Sequence, residues 1–492
     1  MVMLLAVTAC THKPYVAPVV PDGNYPAAVA KILVAKCAVS GCHNASSYSN
    51  AGGLRLDSWD ELFNGGKNGA EVVPFSPAYS PLLYFVNTDS ALGTVARPTM
   101  PYSTTAMPQS PLSKEEYQTL VSWIADGAPD KNGNIAFSTN AANRQKIYIT
   151  QQGCDLMAVV DAEKHVIMRY IPIGAVSSQI ESPHCTRASS DGRYLYISFL
   201  NGRYVQKIDM QSDALVSSVN ISSVQPNGAW NILYIAPADT ALLVSSWTGD
   251  GVLAYVNPLL MSVVPAKTFP GLVYPHGITS DVLFDTFYVT AQFGNVVYKL
   301  SANGMYYKQL SLNGATPATS TDTAGNGPNP HEIMMVPDRS RYFVTCQGTN
   351  EVVVMDAHAD TVIKRIPVGT FPQEMALSTA EPYIFVTCME DANPNPGMKG
   401  SVYAINYNNY ETHPIYGDFY QPHAITVDDR NGQFYVVSTN ANPSGPAPHH
   451  ATACGGRAGW YSIYNTRTLQ PFNGRRYQLS VMPYSAATRF RN

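Results

Sequence analysis

Residues 330–369 read PHEIMMVPDRSRYFVTCQGTNEVVVMDAHADTVIKRIPVG, and this stretch is a complete copy of a unit that recurs along the chain. It contains four short runs of apolar, β-branched and aromatic residues, separated by turn residues such as Asp, Asn and Gly. Short runs of this kind between turn signals predict β-strands. The unit is therefore expected to form a sheet of four strands.

The Pro-His pair that opens this stretch also opens other copies of the unit. The pairs are Pro183-His184, Pro275-His276, Pro330-His331 and Pro422-His423. Weaker copies begin at Asn227-Gly228-Ala229 and at Pro372-Gln373. Four strands in a repeat of about 40–50 residues is the period of a propeller blade, so the repeats predict a β-propeller.

The first repeat, which begins at Lys146, lacks its opening strand. Residues Met482-Pro483-Tyr484-Ser485, near the end of the sequence, look like that missing strand. We therefore expect the C-terminal strand to complete the first blade and close a ring of seven. The repeats resemble the YVTN-type seven-bladed propeller family over residues 143–492, a resemblance that implies the fold and says little about activity.

The composition of the chain changes once, in the turn-rich stretch near residues 128–142. Before it the pattern is partly helical, and after it helical periodicity almost disappears. The sequence thus predicts a multidomain protein, a small all-α domain followed by an all-β seven-bladed propeller. The expected bounds are 1–24 for a leader and tether, 25–133 for the helical domain and 134–492 for the propeller.

Charge and hydropathy argue against nucleic-acid binding and against a membrane-spanning helix. The net charge of the 492-residue chain is −4 and only 13% of its residues are charged. Nucleic-acid binding needs a basic patch or stripe, so no nucleic-acid partner is expected. No run of 18 apolar residues occurs in the sequence, which argues against a membrane-spanning helix.

The helical part carries the motif Cys37-Ala-Val-Ser-Gly-Cys42-His43. Two thiols can bond to the two vinyl groups of a haem, and a histidine that follows at once can ligate its iron. The usual spacing leaves two residues between the cysteines, whereas this motif leaves four. A zinc site is the alternative, but it needs a fourth nitrogen or sulfur ligand, and residues 44–153 contain no His or Cys. We expect a covalently bound haem c.

The surroundings of this motif resemble the small cytochrome c domains of planctomycetes and Bacteroidetes. The resemblance covers residues 25–129 and is carried by the segments 52–58, 62–66, 111–113, 123–124 and 127–128. Ser113 and Glu116 also form the pattern of a capping box at the start of the last helix. The wider cysteine spacing is the one departure from the family.

A methionine is the expected second axial ligand, because methionine raises the potential of a histidine-ligated haem. The resemblance places it at Met100, within Pro98-Thr99-Met100-Pro101. Met107-Pro108 repeats the pattern seven residues later and is the alternative. With both axial positions filled, the haem would carry electrons and not bind a substrate.

The first ten residues suggest export. Met1–Ala9 is apolar, and Val7-Thr8-Ala9 directly precedes Cys10, which resembles a bacterial lipobox. The expected outcome is a chain lipidated at Cys10 and anchored in the cell envelope, on the periplasmic or cell-surface side. A lipid anchor would be its only contact with the membrane.

The Pro-His histidines form the candidate site of the propeller. His184, His276, His331 and His423 each fall where an innermost strand begins, beside the central channel. In one interpretation they bind a second transition metal at the mouth of the channel, since imidazoles suit copper, iron and zinc. In the other, each histidine only hydrogen-bonds to neighbouring backbone. The sequence leaves both open.

Other polar residues of the propeller are expected near the same face. The insertion 440–459, with His449, His450 and Cys454, is predicted to hang over it, and Cys154 and Cys185 are predicted to lie close by. Cys346 and Cys388 occupy equivalent positions of adjacent blades, which makes a disulfide between them an expectation to test. Three further histidines are expected to be solvated in outer turns: His165, His358 and His413.

Three functional classes follow from the sequence. The first is an exported haem c electron-transfer protein whose propeller binds a redox partner protein or a small molecule. The second is a haem-dependent oxidoreductase with a second metal or cofactor on the His-lined propeller face. The third is a non-redox binding or scaffold lipoprotein. Whether the chain is an enzyme, and on what substrate, stays open at this point.

Overall fold

The structure is a computed structural model that describes residues 21–105, 107–302, 307–317, 327–439 and 459–490. The predictions for Cys10, His449, His450 and Cys454 therefore lie outside the described residues. Among the helices that are described, none is long and apolar enough to cross a membrane.

The N-terminal part is small and helical, which is consistent with a cytochrome c domain. Its α-helices, over the described residues, are α1 (Ala27–Ile32), α2 (Trp59–Leu62), α3 (Pro81–Val86) and α4 (Lys114–Ala125). A π-helical turn, Leu33–Cys37, continues α1, and short 3₁₀ turns are found at Tyr48–Asn50, Pro77–Tyr79 and Ser90–Leu92. Long loops join these short elements.

The last of these helices begins as the sequence predicts. The Ser113 hydroxyl accepts a hydrogen bond from the Glu116 N–H, and the Glu116 carboxylate accepts one from the Ser113 N–H, so the capping box is complete. One face of α4 is buried, through Tyr117, Leu120 and Ile124. This spacing of three and four residues is that of an amphipathic helix packed on a core.

The described part of the propeller consists of seven antiparallel sheets, which confirms the predicted seven-bladed β-propeller. Blade one contains Lys146–Gln151, Leu156–Asp161, Val166–Pro172 and Pro483–Thr488; blade two contains Pro183–Ala188, Tyr194–Phe199, Tyr204–Asp209 and Ala214–Asn220. Blade three contains Trp230–Ile235, Leu242–Ser246, Gly251–Asn257, Ser262–Val263 and Phe269–Leu272; blade four contains Pro275–Ser280, Thr286–Ala291, Val296–Ser301 and Tyr307–Ser311. Blade five contains Pro330–Met335, Arg341–Cys346, Glu351–Asp356 and Val362–Pro367; blade six contains Pro372–Leu377, Tyr383–Ala392, Lys399–Asn406 and Thr412–Ile415. Blade seven contains Pro422–Asp428, Gln433–Ser438, Gly459–Asn465 and Tyr477–Leu479.

The ring closes through the last strand of the chain. Pro483–Thr488 pairs antiparallel with Lys146–Gln151, with Ile147 opposite Thr488 and Gln151 opposite Pro483. It is the innermost strand of blade one, which the first repeat does not supply. Closure in this way pairs the inner edge of Lys146–Gln151 and makes Pro483–Thr488 the edge strand of blade one.

The helical part packs against the outer strands of blades one and seven. The aromatic rings of Tyr79 and Tyr170 lie 4.8 Å apart between centroids, and the Gln478 N–H donates to the Asn68 carbonyl over 3.0 Å. Val73 is buried in a cluster of propeller residues. The two parts therefore share apolar cores and are not connected by a linker alone.

Candidate haem site and propeller channel

The proposed haem-binding cysteines lie at the end of the first helical segment. Cys37 is the last residue of the π-helical turn, and the His43 N–H donates to its carbonyl over 3.2 Å. Cys37 is buried and Cys42 is half-buried, and both thiols are free. Burial raises the pKa of Cys37 to about 12. The chain thus folds back so that the two cysteines and the histidine belong to one turn.

His43 is held in a definite tautomer. Its Nδ1 lies 3.2 Å from the Leu54 carbonyl oxygen, and because a carbonyl only accepts, Nδ1 carries the proton. Burial lowers the pKa of His43, so the ring is neutral at neutral pH. The Nε2 lone pair is then available to a metal, and a backbone carbonyl on the other nitrogen is the usual partner of a ligating histidine.

The two candidate methionines differ in their surroundings. Met100 is half-buried and packs against the core cluster that includes Cys37. Its N–H donates to the Phe85 carbonyl over 2.7 Å, which fixes the backbone at that point. Met107 is 46% exposed. These positions favour Met100 as an axial ligand over Met107, and the choice stays a prediction.

The residues present fit a covalently attached haem. Free thiols, a neutral imidazole with one nitrogen committed to backbone and an apolar core beside them are the donor set that such a group needs. A haem bound there supplies a one-electron couple. The chain itself would hold the ring through Cys37 and Cys42 and orient His43 through Leu54.

The four Pro-His histidines converge inside the propeller channel. Centroid distances are 6.4 Å for His184–His276, 3.9 Å for His276–His331 and 6.3 Å for His331–His423. Tyr484, from the closing strand, completes the circle at 3.7 Å from His423 and 4.7 Å from His184. All five side chains are buried or nearly so.

Burial keeps these imidazoles neutral. It lowers the pKa of His276 to about 3 and that of His423 to about 4. It also holds the pKa of His184 and His331 well below the usual range, and neighbouring histidines add to the effect. A neutral imidazole has a lone pair to offer, so the group can act as metal ligands or hydrogen-bond acceptors at neutral pH.

Two carboxylates and a guanidinium lie next to this ring. Nη2 of Arg187 is 3.7 Å from Oε2 of Glu332 and 3.9 Å from Oε2 of Glu374. Oε1 of Glu374 is 4.0 Å from Nδ1 of His331. Burial raises the pKa of both glutamates, and the charge of Glu332 raises that of Glu374 further, while Arg187 opposes the shift.

Glu332 and Glu374 were not predicted as site residues from the sequence, although a signal was present. Glu332 and Glu374 each follow the opening proline of a repeat by two residues, in the adjacent blades five and six. Alternate residues of an innermost strand face the same side of their sheet. A search for polar residues two positions after each opening proline would have found them.

A cavity of about 450 Å³ leads to this cluster from the opposite end of the channel. Its lining begins at Arg187, Glu332 and Glu374 and continues past the ends of the innermost strands to the exposed residues Ser190 and Thr379. The histidines lie at the other ends of these strands. The sequence predicted a histidine site at an open mouth of the channel, and this placement is wrong. The four histidines are buried inside the channel, and the open cavity lies toward its other end, beyond Glu332 and Glu374.

Other expectations for the propeller need correction. Cys346 and Cys388 are free, and they pack in different core clusters, so no disulfide joins them. Cys185 is buried, with its thiol directed to the Leu233 carbonyl at 3.7 Å. His165 is not solvated: it is buried and its Nε2 lies 3.0 Å from Oε1 of Gln433. His358 is exposed, as predicted, whereas His413 is half-buried within the strand Thr412–Ile415.

Comparison with known proteins supports the assignment of the N-terminal part. Residues 40–94 match the family described as Planctomycete cytochrome C, which confirms the resemblance drawn from the sequence. The match begins just before Cys42 and His43. No curated protein is similar enough to the full chain to count as a match.

Several solved structures are distantly similar. Hydrazine synthase of Kuenenia stuttgartiensis is 14% identical, with 63% of this chain and 90% of that chain covered and a TM-score of 0.45. A protein of unknown function from Desulfotomaculum acetoxidans is 10% identical, with coverage of 69% and 99% and a TM-score of 0.49. The dihydro-heme d1 dehydrogenase NirN is 12% identical, with coverage of 79% and 88% and a TM-score of 0.44. Likenesses at this level carry no argument about function.

Proposed function

We propose that the chain is an exported haem c protein that transfers single electrons, and that its propeller binds the redox partner or substrate. The observation that carries the proposal is the geometry of His43. Its Nδ1 donates to the Leu54 carbonyl, so its Nε2 carries the lone pair that can ligate iron, and the residue directly follows a free thiol. The match of residues 40–94 to a cytochrome c family supports the same conclusion.

Electron transfer, rather than catalysis at the haem, follows from the second axial position. Met100 packs against the apolar core that also contains Cys37, and its backbone is fixed by the hydrogen bond to Phe85, so we infer that its thioether fills the second axial position. A six-coordinate haem has no open position for a substrate. The chain's residues would hold the group rigid, which keeps the reorganisation on electron transfer small.

The location and the partner are parts of the same proposal. The Val7-Thr8-Ala9-Cys10 sequence supports lipidation of Cys10 and anchoring in the cell envelope. A redox partner protein or a small molecule would bind at the propeller. Mass spectrometry of the mature N-terminus tests the lipid, since a diacylglycerol-modified Cys10 gives a defined mass increase and an unmodified residue contradicts it.

A second candidate function is an oxidoreductase with another metal in the channel. One specific observation favours it, namely that potential ligand atoms of His331, Glu374 and His423 lie within 4.8 Å of one another. No comparable feature of the described residues favours a purely non-redox scaffold.

The test of the main proposal is made on full-length protein matured with haem. We expect one haem per chain, reversible reduction by dithionite and reoxidation by ferricyanide, and no change in the spectrum of the reduced protein when carbon monoxide is added. Binding of carbon monoxide would show an open axial position and overturn the electron-transfer assignment. Protein that never incorporates haem would overturn it as well.

A further inference from the structure

We propose that the propeller channel binds one divalent first-row transition metal through His331, Glu374 and His423, with a coordination position open toward the channel cavity. The potential ligand atoms of these residues lie within 4.8 Å of one another. They come from the innermost strands of three consecutive blades, five, six and seven. The proposal deepens the second candidate function, by naming its metal ligands, and does not depend on the haem.

His423 has the hydrogen bonding of a ligand. Its Nδ1 lies 2.9 Å from the Tyr484 carbonyl oxygen, so Nδ1 carries the proton and Nε2 carries the lone pair. Nε2 is buried and has no hydrogen-bond partner among the described residues. A histidine whose other nitrogen donates to a backbone carbonyl is the usual arrangement in metal sites.

His331 also has a buried ring nitrogen that is available to a metal. Its Nδ1 is also buried without a hydrogen-bond partner in the described part of the chain, and the residue is 4% exposed. The nearest acidic group is Oε1 of Glu374, at 4.0 Å, which is too far for a hydrogen bond. An unpaired polar atom in such a place is costly, at about 1–3 kcal/mol, and a metal between the two side chains would satisfy both.

Glu374 links the histidines to the cavity. Its Oε2 faces Arg187 at 3.9 Å, whereas its Oε1 faces His331. Glu374 also lines the cavity that opens past Ser190 and Thr379. A metal on Oε1 would therefore have two imidazoles on one side and open space near the other, the pattern of sites with a free coordination position.

The acidic side chains next to the histidines suit a divalent cation. Glu332 and Glu374 bring two carboxyl groups to the inner end of the cavity, where a bound cation would favour their ionised forms, and Arg187 brings one guanidinium. An ion network of these three side chains alone is a simpler reading of the cluster. It leaves the unpaired nitrogens of His331 and His423 unexplained, whereas a metal accounts for them.

The other two histidines of the ring, His184 and His276, use their Nδ1 atoms in hydrogen bonds within the protein. Nδ1 of His276 lies 3.2 Å from the His331 carbonyl oxygen, and Nδ1 of His184 lies 3.1 Å from Nε2 of Gln152. Neither residue belongs to the group of close ligand atoms found among the described residues. The proposal thus replaces the four-histidine site expected from sequence with two histidines and a glutamate.

The ligand set limits which metals can bind at this site. Two imidazoles and one carboxylate are found with zinc and with non-haem Fe(II), and imidazole also suits copper. Metal–ligand bonds of about 2.0–2.2 Å place ligand atoms about 3–3.5 Å apart, so the cluster must contract by about 1 Å on binding.

The experiment uses full-length, haem-loaded protein that has been stripped with a chelator and then dialysed against Zn²⁺. Metal analysis by mass spectrometry counts zinc against the haem iron of the same sample. We expect one zinc per haem. X-ray absorption at the zinc edge should show a first shell of nitrogen and oxygen only, with imidazole scattering. A sulfur ligand, or no retained zinc, copper or cobalt in parallel dialyses, would overturn the proposal.

Variants locate the site. Glu374→Gln keeps the shape of the side chain and should weaken zinc binding by at least about a hundredfold, because a lost ligand costs more than the 10–100-fold loss of an outer-shell partner. His423→Gln should do the same, and it serves where Glu374→Gln does not fold. The matched control is His184→Gln, which should retain zinc. Unchanged binding in both Glu374→Gln and His423→Gln, with an intact haem spectrum, would also overturn the proposal while leaving the haem function standing.

Discussion

At the scale of single residues, hydrogen bonds to backbone carbonyls decide which nitrogen of each histidine is available. His43 gives its Nδ1 proton to Leu54 and His423 gives its Nδ1 proton to Tyr484. In both cases Nε2 is left as the lone-pair atom. The motif around His43 made its role predictable, whereas the role of His423 depends on a carbonyl 61 residues away, which no local pattern reveals.

The first prediction concerns attachment of the haem. Cys37 and Cys42 should form thioether bonds, because both thiols are free and belong to the turn that carries His43. Extraction with acidified acetone should leave the haem on the polypeptide. Each single Cys→Ala variant should retain haem through one bond, and the double variant should release it into the solvent. Release from the wild-type protein would contradict the assignment.

The second prediction concerns the axial methionine. Met100→Ala should abolish the charge-transfer band of thioether-ligated ferric haem and lower the reduction potential, because methionine ligation raises it. Met107 is 46% exposed, so Met107→Ala is the matched control and should change neither property. The opposite result, with the band lost only in Met107→Ala, would assign the ligand to the other methionine.

At the scale of elements, the innermost strands were the most predictable part of the fold. Their opening Pro-His pairs mark the strand starts at Pro183, Pro275, Pro330 and Pro422. Blade three is the exception, since its strand begins at Trp230 and not at Asn227. The side chains that matter inside the channel, such as Glu374, were harder to find because their neighbours come from other blades and not from their own repeat.

The third prediction concerns the ion pair that joins the first and last helical segments. The Lys36 ammonium contacts the Glu116 carboxylate and lowers the pKa of Glu116. Glu116→Gln should reduce the free energy of unfolding by less than about 1 kcal/mol, as both side chains are partly exposed. Because the folded-state pKa lies below that of the unfolded chain, the stabilisation is present above about pH 4.3 and is lost as pH falls through the folded-state pKa.

Denaturant unfolding of both proteins from pH 7 to pH 3 measures this difference. The gap between wild type and Glu116→Gln should close on the acidic side. A gap that stays constant over the range would mean that the charge of Glu116 does not contribute to stability, since Gln can still accept the hydrogen bond from the Ser113 N–H.

At the scale of the whole molecule, closure of the ring depends on the C-terminal strand and the residue after it. Arg489 is buried, and its guanidinium donates to the carbonyls of Gly192 (3.1 Å), Arg144 (3.0 Å) and Ala141 (2.6 Å). The closing strand is thereby fixed to blade two and to the segment that leads into blade one. The repeat pattern predicted the strand, but nothing in it predicted this arginine.

The fourth prediction tests that closure. Arg489→Ala should lower the free energy of unfolding by about 1–3 kcal/mol, because the buried Gly192 carbonyl loses its donor and the partly buried carbonyls of Ala141 and Arg144 lose theirs. Arg467 is the matched control, since its side chain is 82% exposed, and Arg467→Ala should change stability by less than about 0.5 kcal/mol. Equal melting temperatures for the two variants would show that Arg489 does not hold the ring.

The contact between the helical part and the propeller is the feature that sequence reasoning could least predict, because its residues are scattered over both parts. Val73 is 1% exposed and packs with Ile167, Tyr477 and Leu479 of blades one and seven. Tyr79 and Tyr170 extend the contact. Since the two parts share a core, we expect the wild-type protein to unfold in one transition, seen alike by haem absorbance and far-ultraviolet circular dichroism.

The fifth prediction follows from that shared core. Val73→Asp places an uncompensated charge among these side chains and should cost about 3–5 kcal/mol. The haem signal and the β-sheet signal should then separate into two transitions, because the coupling between the parts is lost while each keeps its own remaining core. Val216→Asp, at a position 51% exposed on the outer strand of blade two, controls for the added charge and should leave a single transition. Coincident transitions in Val73→Asp, at the wild-type temperature, would show that this contact does not couple the unfolding of the two parts.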